Sequence, residues 1–501
     1  MTKRIISVLL IIAMCFTLFS CKRDEIQEGT DEYILPTEII DAKFSLPYTS
    51  ADNINPFESK SGLNRALIPV IFESLYTSTE DGRGARLLAA SERVDGKKVT
   101  VKLLDKVFFS DGVQLNAAYV KASFEKAGAN AYYKPSLSNV AAIRVIDNLT
   151  VEFTFSRESA FNLNTLNFPI IRISNGAYIG SGKYKLQHLG DVPYFQANER
   201  HRDYDKLLNK QIALLDMAGM SSPIYPFKSN EISVYKHDLS KTEYINLSSS
   251  TISQNMNNLV FVGVNSKWAG SVTSVEWVRQ VMNIGISRAD ITAASFLGQG
   301  EAAVTPFKTA FYQLRTDDLP SLQGEVQRAV AIMERNGYDK LNKDGIRTDG
   351  INSLRVNILV CTENPYKLSV AQAVKKSLEE IGFGVTITEK ATLQSFQAAL
   401  REGHYGLYIG ETQLPYDYDL SQFFSAKGSL SYGINEEFFK EYSDYEEGKI
   451  STMEFVEAFE VEVPFIPLFY RKAIVSVNPN IIGFGDDMDY SSVSQWVMKT
   501  Q

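Results

Sequence analysis

Val99, Val101 and Leu103 alternate with polar residues, the period of two expected of a half-buried strand. Asp111-Gly112 supplies a turn after it. Asn116 is placed to cap a helix, because its side chain can accept a free backbone N–H. Ala117, Val120, Phe124 and Ala127 then recur at helical spacing, which makes one face of that helix apolar. Two apolar runs flank Asp147-Asn148, and Val151, Phe153 and Phe155 alternate, so a hairpin with a half-buried second strand is expected. Residues 259–265 are a continuous apolar run of the buried-strand type. Thr273 and Glu276 fit a capping box that opens a helix. Residues 355–360 alternate as a strand, and Ala371, Val374, Leu378 and Ile381 form the apolar stripe of a helix that Gly382 ends. Residues 385–388 give the next strand, and strand, helix and parallel strand make a βαβ unit. The pattern as a whole predicts an α/β protein.

The amino terminus departs from this pattern. Lys3-Arg4 precede an apolar run over residues 5–19, shorter than the roughly 20 residues a membrane-spanning helix needs. Residues 1–20 therefore read as a secretory signal peptide. Residues 22–38 are polar and aperiodic, as in a tether. A chain of 501 residues has room for about two or three domains with substantial cores. The 29 Phe and 25 Tyr must mostly fill those cores, and exposed Tyr would suit a ligand cleft. Removing residues 1–20 takes away Lys3 and Arg4 and no acid, so the formal charge of −8 becomes −10. An acidic chain without a basic stripe argues against nucleic acid as a partner.

Motifs of catalysis and metal binding are missing from the sequence. His188, His201, His237 and His404 have no ligand spacing. Neither a Gly-x-Ser-x-Gly elbow nor a P-loop occurs. Gly180-Ser181-Gly182 runs into strand-like Tyr184-Lys185-Leu186 rather than a helix, which excludes a phosphate loop. Asp339, Asn342 and Asp344 have the wrong offsets for a calcium loop, and no Glu sits at its twelfth position. Cys361 has no local signature of a nucleophile. No catalytic residue, metal or cofactor is expected.

The order Val101, Leu104, Lys106, Val107, Phe109, Ser110, Asp111, Gly112, Leu115, Ala117 and Val120 resembles a family fingerprint. The family is the family 5 extracellular solute-binding proteins, the peptide- and nickel-type receptors of bacterial ABC importers. Further segments resemble the same family in the same order. They are Glu73-x-Leu75-Tyr76, the run 139–155, Gly180-Ser181-Gly182-Lys183-Tyr184, residues 200–204, residues 277–291, residues 330–354, residues 463–470 and residues 480–484. Leu18-Phe19-Ser20-Cys21 resembles a bacterial lipobox.

The resemblance implies a two-lobed α/β fold like that of periplasmic binding proteins, type II and cluster C-like, with an extra subdomain in the first lobe. It implies a signal peptide over 1–20 and a tether over 21–41, lipidated on Cys21. Lobe I would comprise 42–256 and 470–501, with 81–171 as the extra subdomain, and lobe II would comprise 257–469. Only Cys361 would then be left with a free thiol, so no intramolecular disulfide is expected. Asn53, Asn55 and Phe57 would lie on the loop that lines the family's ligand cleft. Residues 410–424 stand where the family has a Trp followed by an Asp-Tyr-Pro-Asp-Pro run. Here the Trp is absent, the first Asp falls on Tyr416, the second on Asp419, and Asp417 is one position out of register. Tyr416, Asp417 and Asp419 are expected to line the cleft, an acid there suiting a ligand ammonium group.

The implied function is that of a substrate-binding lipoprotein of an ABC importer, not an enzyme. It would be a monomer at the cell envelope, lipid-anchored on the periplasmic or extracellular face. It would capture a peptide or similar small solute and deliver it to permease and ATPase subunits. The alternatives are a surface hydrolase using Asp417 and Asp419, and a receptor-like lipoprotein without a transport role.

Overall fold

A computed structural model describes residues 40–499 except 80, 159–161, 238, 240–243, 249, 416–417 and 484–489. Its first sheet places the strand Ser45–Tyr48 parallel to Gln211–Asp216, followed by Val192–Ala197 and Tyr184–Leu189 in antiparallel order. Ile212 to Leu215 are all buried, as a strand with both faces covered requires. The helix Gly62–Ile71 starts where the Ser61 side chain accepts the Leu63 N–H. It buries Leu67, Val70 and Ile71 in one core with Phe44, Leu46, Tyr184 and Trp496.

A separate four-stranded antiparallel sheet runs Ala89–Asp95, Lys98–Leu103, Thr150–Phe155, Val140–Asp147. The expected alternation is present: Val99, Val101, Leu103, Val151, Phe153 and Phe155 are buried. They face the helix Ala117–Ala129, whose cap is Asn116, accepting from the N–H groups of Ala118 and Tyr119. The helix face differs in one position from the expected stripe. Ser123 is fully buried and Phe124 only half-buried, because the Ser123 hydroxyl accepts the Ile171 N–H at 2.8 Å.

The largest sheet has the order Val234–His237, Phe465–Val477, Thr251–Val264, Leu407–Gln413, Arg355–Cys361, Gly384–Lys390, with Gly300–Ala302 pairing Phe465–Val477 from the side. Arg355–Cys361, the helix Pro365–Glu380 and Gly384–Lys390 form the expected βαβ unit, with the two strands parallel. Ala371, Val374, Leu378 and Ile381 are buried as the stripe requires, and Gly382 leaves the helix at φ +99°. One face of the sheet carries an aliphatic core around Val260, Val262, Ile358 and Leu378. The other carries an aromatic core around Phe261, Tyr408, Phe423, Phe455 and Phe465.

The capping box expected at Thr273 is absent. Thr273 lies inside a 3-10 turn, Val272–Ser274, capped by Ser271, and the helix Glu276–Gly285 has no side-chain cap. The Thr273 hydroxyl is buried and donates instead to the Asn265 carbonyl at 2.7 Å, a bond it must make there.

Two long strands join the units. Phe465–Val477 begins in the aromatic core and ends with Val475 and Val477 packed beside Phe44 and Leu46. Thr251–Val264 runs antiparallel to it, pairing Asn255 with Lys472 and then Leu259 with Tyr470. Residues 256–258 thus oppose the single residue 471, a bulge that bends the strand where the units meet.

Candidate functional site

A cleft of about 890 Å³ opens over this bulge. All three units line it. The helix Gly62–Ile71 contributes Arg65 and Pro69, the small-sheet unit contributes Tyr132, Tyr133 and Asn167, and the bulge contributes residues 254–258. The far wall comes from Lys308, residues 413–415 and Tyr418.

The bulge fixes that wall. Asn257 Nδ2 donates to the carbonyls of Leu414 at 2.7 Å and Pro415 at 3.1 Å, and the Asn257 carbonyl accepts the Leu414 N–H. Asn258 Nδ2 donates to Glu411 Oε1 at 3.0 Å. Glu411 is almost fully buried, and Arg471 Nε at 2.8 Å and Lys367 Nζ at 3.5 Å balance its charge. Such pairing is what permits an acid beneath the cleft floor.

The near wall is organised by Asn64. This fully buried side chain accepts the Thr49 N–H and donates toward the carbonyls of Thr49, Asp52 and Asn53. Asp52 Oδ2 in turn accepts the Lys60 and Ser61 N–H groups, each at 2.7 Å, and the Ser59 hydroxyl at 3.0 Å. Burial pushes the Asp52 carboxyl up, but these hydrogen bonds outweigh it and hold its pKa below the ordinary value. Arg65 Nε donates to the Ser59 carbonyl at 2.9 Å, and its guanidinium carbon lies 4.3 Å from the Tyr132 ring centroid.

Glu73 is the one acid among the described residues lining the cleft. Arg202 Nη2 lies 2.5 Å from its Oε1, the Ser181 hydroxyl donates to Oε2 at 2.9 Å, and His201 Nε2 stands 3.5 Å away. Burial pushes its pKa up; the neighbouring His201 ring and Arg202 guanidinium more than reverse this, so Glu73 stays ionised. Its charge is spent inside the protein.

The residues expected at the site fall in different places. Asn53 Oδ1 accepts the Asn55 N–H at 3.0 Å, and Asn55 Oδ1 accepts the Phe57 N–H at 2.9 Å. These side chains shape the loop, and it is Pro56 and Ser59 of that loop that line the cleft. The Phe57 ring packs on Tyr133 and Tyr178, with centroids 5.7 and 6.2 Å away, and bridges to the small-sheet unit. Tyr416, Asp417 and Cys21 lie outside the described residues. Asp419 is not a lining residue. Its Oδ1 accepts the Ser421 N–H at 2.7 Å and lies 3.1 Å from the Tyr442 hydroxyl, and its Oδ2 is 3.5 Å from Arg157 Nη2. Arg157 follows the small sheet in the chain and also pairs with Glu446, so this cluster ties the two sides of the cleft together.

Sequence reasoning missed Asn64, Arg65, Lys308 and the bulge. Asn64 carried a signal: it shares the buried helix face with Leu67, Ile68 and Ile71, where a polar residue needs a reason. Among the described residues no group of three or more His, Cys, Asp or Glu side chains could hold a metal ion. No described helix is long and apolar enough to cross a membrane.

Two α/β units joined by paired crossings, a third unit added to the first, and a cleft between them define the two-lobed fold of periplasmic binding proteins. The family model for bacterial extracellular solute-binding proteins, family 5 (middle), matches residues 83–431. The chain belongs to that family. Among solved structures, an ABC transporter substrate-binding protein from Sinorhizobium meliloti is similar with a TM-score of 0.71 and 18% identity, covering 91% of this chain and 100% of that one. The oligopeptide-binding protein AppA from Bacillus subtilis, solved with a nonapeptide, has a TM-score of 0.57 and 17% identity, covering 91% and 99%. The glutathione-binding protein GsiB of Escherichia coli (strain K12) is 29% identical over 150 residues, 26% of this chain. The match spans only 29% of that relative's length. The family is one of extracytoplasmic binding proteins rather than enzymes.

Proposed function

We propose that this chain is the substrate-binding component of an ABC importer. It captures a peptide or similar small solute between its two lobes and delivers it to permease and ATPase subunits. The observation that carries this reading is the cleft of about 890 Å³, lined from both sides, in a chain of the solute-binding family. A cavity of that size between lobes suits a small ligand. The nonapeptide bound by AppA and the glutathione named for GsiB favour the peptide class. Lobe I is proposed to comprise 42–256 and 470–501, with 81–171 as the added subdomain, and lobe II 257–469. The packing of Val475 and Val477 beside Phe44 supports giving the carboxy-terminal segment to lobe I.

Residues 1–20 are proposed to be a cleaved signal peptide, with Cys21 lipidated and 21–41 a tether that holds a monomer at the envelope. Cys21→Ala should release the protein from membranes; a variant that still fractionates with them excludes the anchor. Native mass spectrometry of the purified protein tests the main reading. A bound solute of peptide size is the expected result. Failure of reduced glutathione and of a short-peptide library to bind in calorimetry, with no solute co-purifying, refutes it.

A further inference from the structure

Arg65 is the cleft residue whose chemistry is left unused. Its Nε is anchored on the Ser59 carbonyl at 2.9 Å, and the Tyr132 ring lies 4.3 Å from the guanidinium carbon. Ser59 is itself held by Asp52, which also holds the start of the helix bearing Arg65. The arm is therefore braced along its length. Both Nη groups remain without an acceptor, and no carboxylate pairs with the guanidinium, among the described residues. Arg65 is among the residues that line the cleft. Glu73, the acid lining the same cleft, is committed to Arg202. Lys183, Lys236 and Lys308 line the cleft as well, so the charged side chains that line it are mainly cationic.

A planar guanidinium fixed at Nε presents two parallel N–H donors, the geometry that a carboxylate accepts with both oxygens. Fixing the arm in advance reduces the ordering lost on binding. We propose that Arg65 receives a carboxylate of the captured ligand, so that the cleft selects peptides by an anionic group at the end that meets the helix Gly62–Ile71. This inference rests on the solute-binding reading above and assigns the ligand's charge at one subsite. It differs from the expectation of an acid holding an ammonium group, which concerns the opposite wall.

The experiment uses the protein purified from membranes in detergent and dialysed extensively. Calorimetry compares three tripeptide libraries: free acids lacking Asp and Glu, the same sequences amidated at the carboxy terminus, and amidated sequences containing one Glu. Arg65→Gln and Arg65→Lys are measured beside wild type, with Arg93→Gln as a control far out on the surface. Preference for the free acids assigns the subsite to a terminal carboxylate; preference for the amidated Glu peptides over the amidated Glu-free ones assigns it to a side-chain carboxylate. Either preference should be about tenfold or more, the size expected for losing one partner of a desolvated charge pair. Arg65→Gln should erase it, Arg65→Lys should keep part of it, and Arg93→Gln should leave it intact. Equal affinity for all three libraries overturns the carboxylate subsite while leaving solute binding standing. A preference that survives in Arg65→Gln also overturns the assignment. If no library binds, this inference fails; the solute-binding reading fails with it only when reduced glutathione does not bind either and no solute co-purifies. Should Arg65→Gln not fold, Arg65→Lys decides the assignment: a reduced preference supports it, and an undiminished one overturns it.

Discussion

At the scale of single residues, buried polar side chains carry much of the order around the cleft. Asn64 satisfies four backbone groups of the loop that precedes its helix. Asn64→Ala would remove these four part-buried hydrogen bonds and leave a polar loop without its brace, and should lower stability by about 1–3 kcal/mol in urea unfolding, with weaker ligand binding because Arg65 loses its frame. His237 offers a pH test. It is buried with Nε2 2.8 Å from the Ser476 hydroxyl, and burial pushes its pKa down from 6.5 to about 4. The unfolded chain therefore binds a proton that the folded chain refuses. The stability this group contributes is present above pH 6.5 and is lost as pH falls toward about 4, by up to about 3 kcal/mol. His237→Gln should flatten that part of the stability–pH curve; a slope unchanged from wild type would show that another group titrates there.

At the scale of elements, the large sheet depends on two paired complementarities between its neighbouring central strands. Gly263 stands directly opposite Tyr408, and Gly410 directly opposite Phe261. A Cβ on Gly263 would meet the Tyr408 ring at 1.9 Å, and one on Gly410 would meet the Phe261 ring at 2.3 Å. Each ring lies over the glycine of the facing strand, in the space a side chain would take. Gly263→Ala should therefore displace Tyr408 within the aromatic core and destabilise by about 1–3 kcal/mol, the range for overpacking. A melting temperature equal to wild type would show that the ring moves without strain. The bulge at residues 256–258 is the other decisive element, since it interrupts the ladder and frees the Asn257 and Asn258 side chains to hold Leu414, Pro415 and Glu411 at the cleft wall.

At the scale of the whole molecule, Arg157 is the link between the small-sheet unit and the far wall of the cleft. It pairs with Asp419 and Glu446, all three only about a fifth exposed or less. Burial pushes the Glu446 carboxyl up, and the Arg157 charge works against that shift. The Tyr312 N–H donates to the Asp81 carbonyl at 3.4 Å. Ligand-driven closure in a two-lobed protein draws on such contacts, because anything that favours the closed form adds to affinity. Arg157→Ala should raise the radius of gyration measured by X-ray scattering and weaken binding of a peptide library by up to about tenfold, near 1.4 kcal/mol. Unchanged scattering and affinity would mean that closure does not use this pair.

What the sequence determined by itself is what short range decides. The period of two in residues 99–103 and 151–155, the stripe from Ala371 to Ile381, and the caps at Asn116 and Gly382 all arise from neighbours within one or two turns, and each stands in the structure. The order of family segments made the two-lobed fold legible as well. Asn53 and Asn55 each bond a backbone group two residues on, a contact of the same short range. The tertiary structure alone decided which faces meet. Thr273 misled as a cap because its partner, the Asn265 carbonyl, is brought to it by the chain path and not by helical spacing. The cleft floor depends on the register between Thr251–Val264 and Phe465–Val477, strands some two hundred residues apart, and no local pattern specifies that three residues there shall oppose one. Arg65 looked like any polar residue on an amphipathic helix; only the packing of that helix against the other units turns it into the cleft wall.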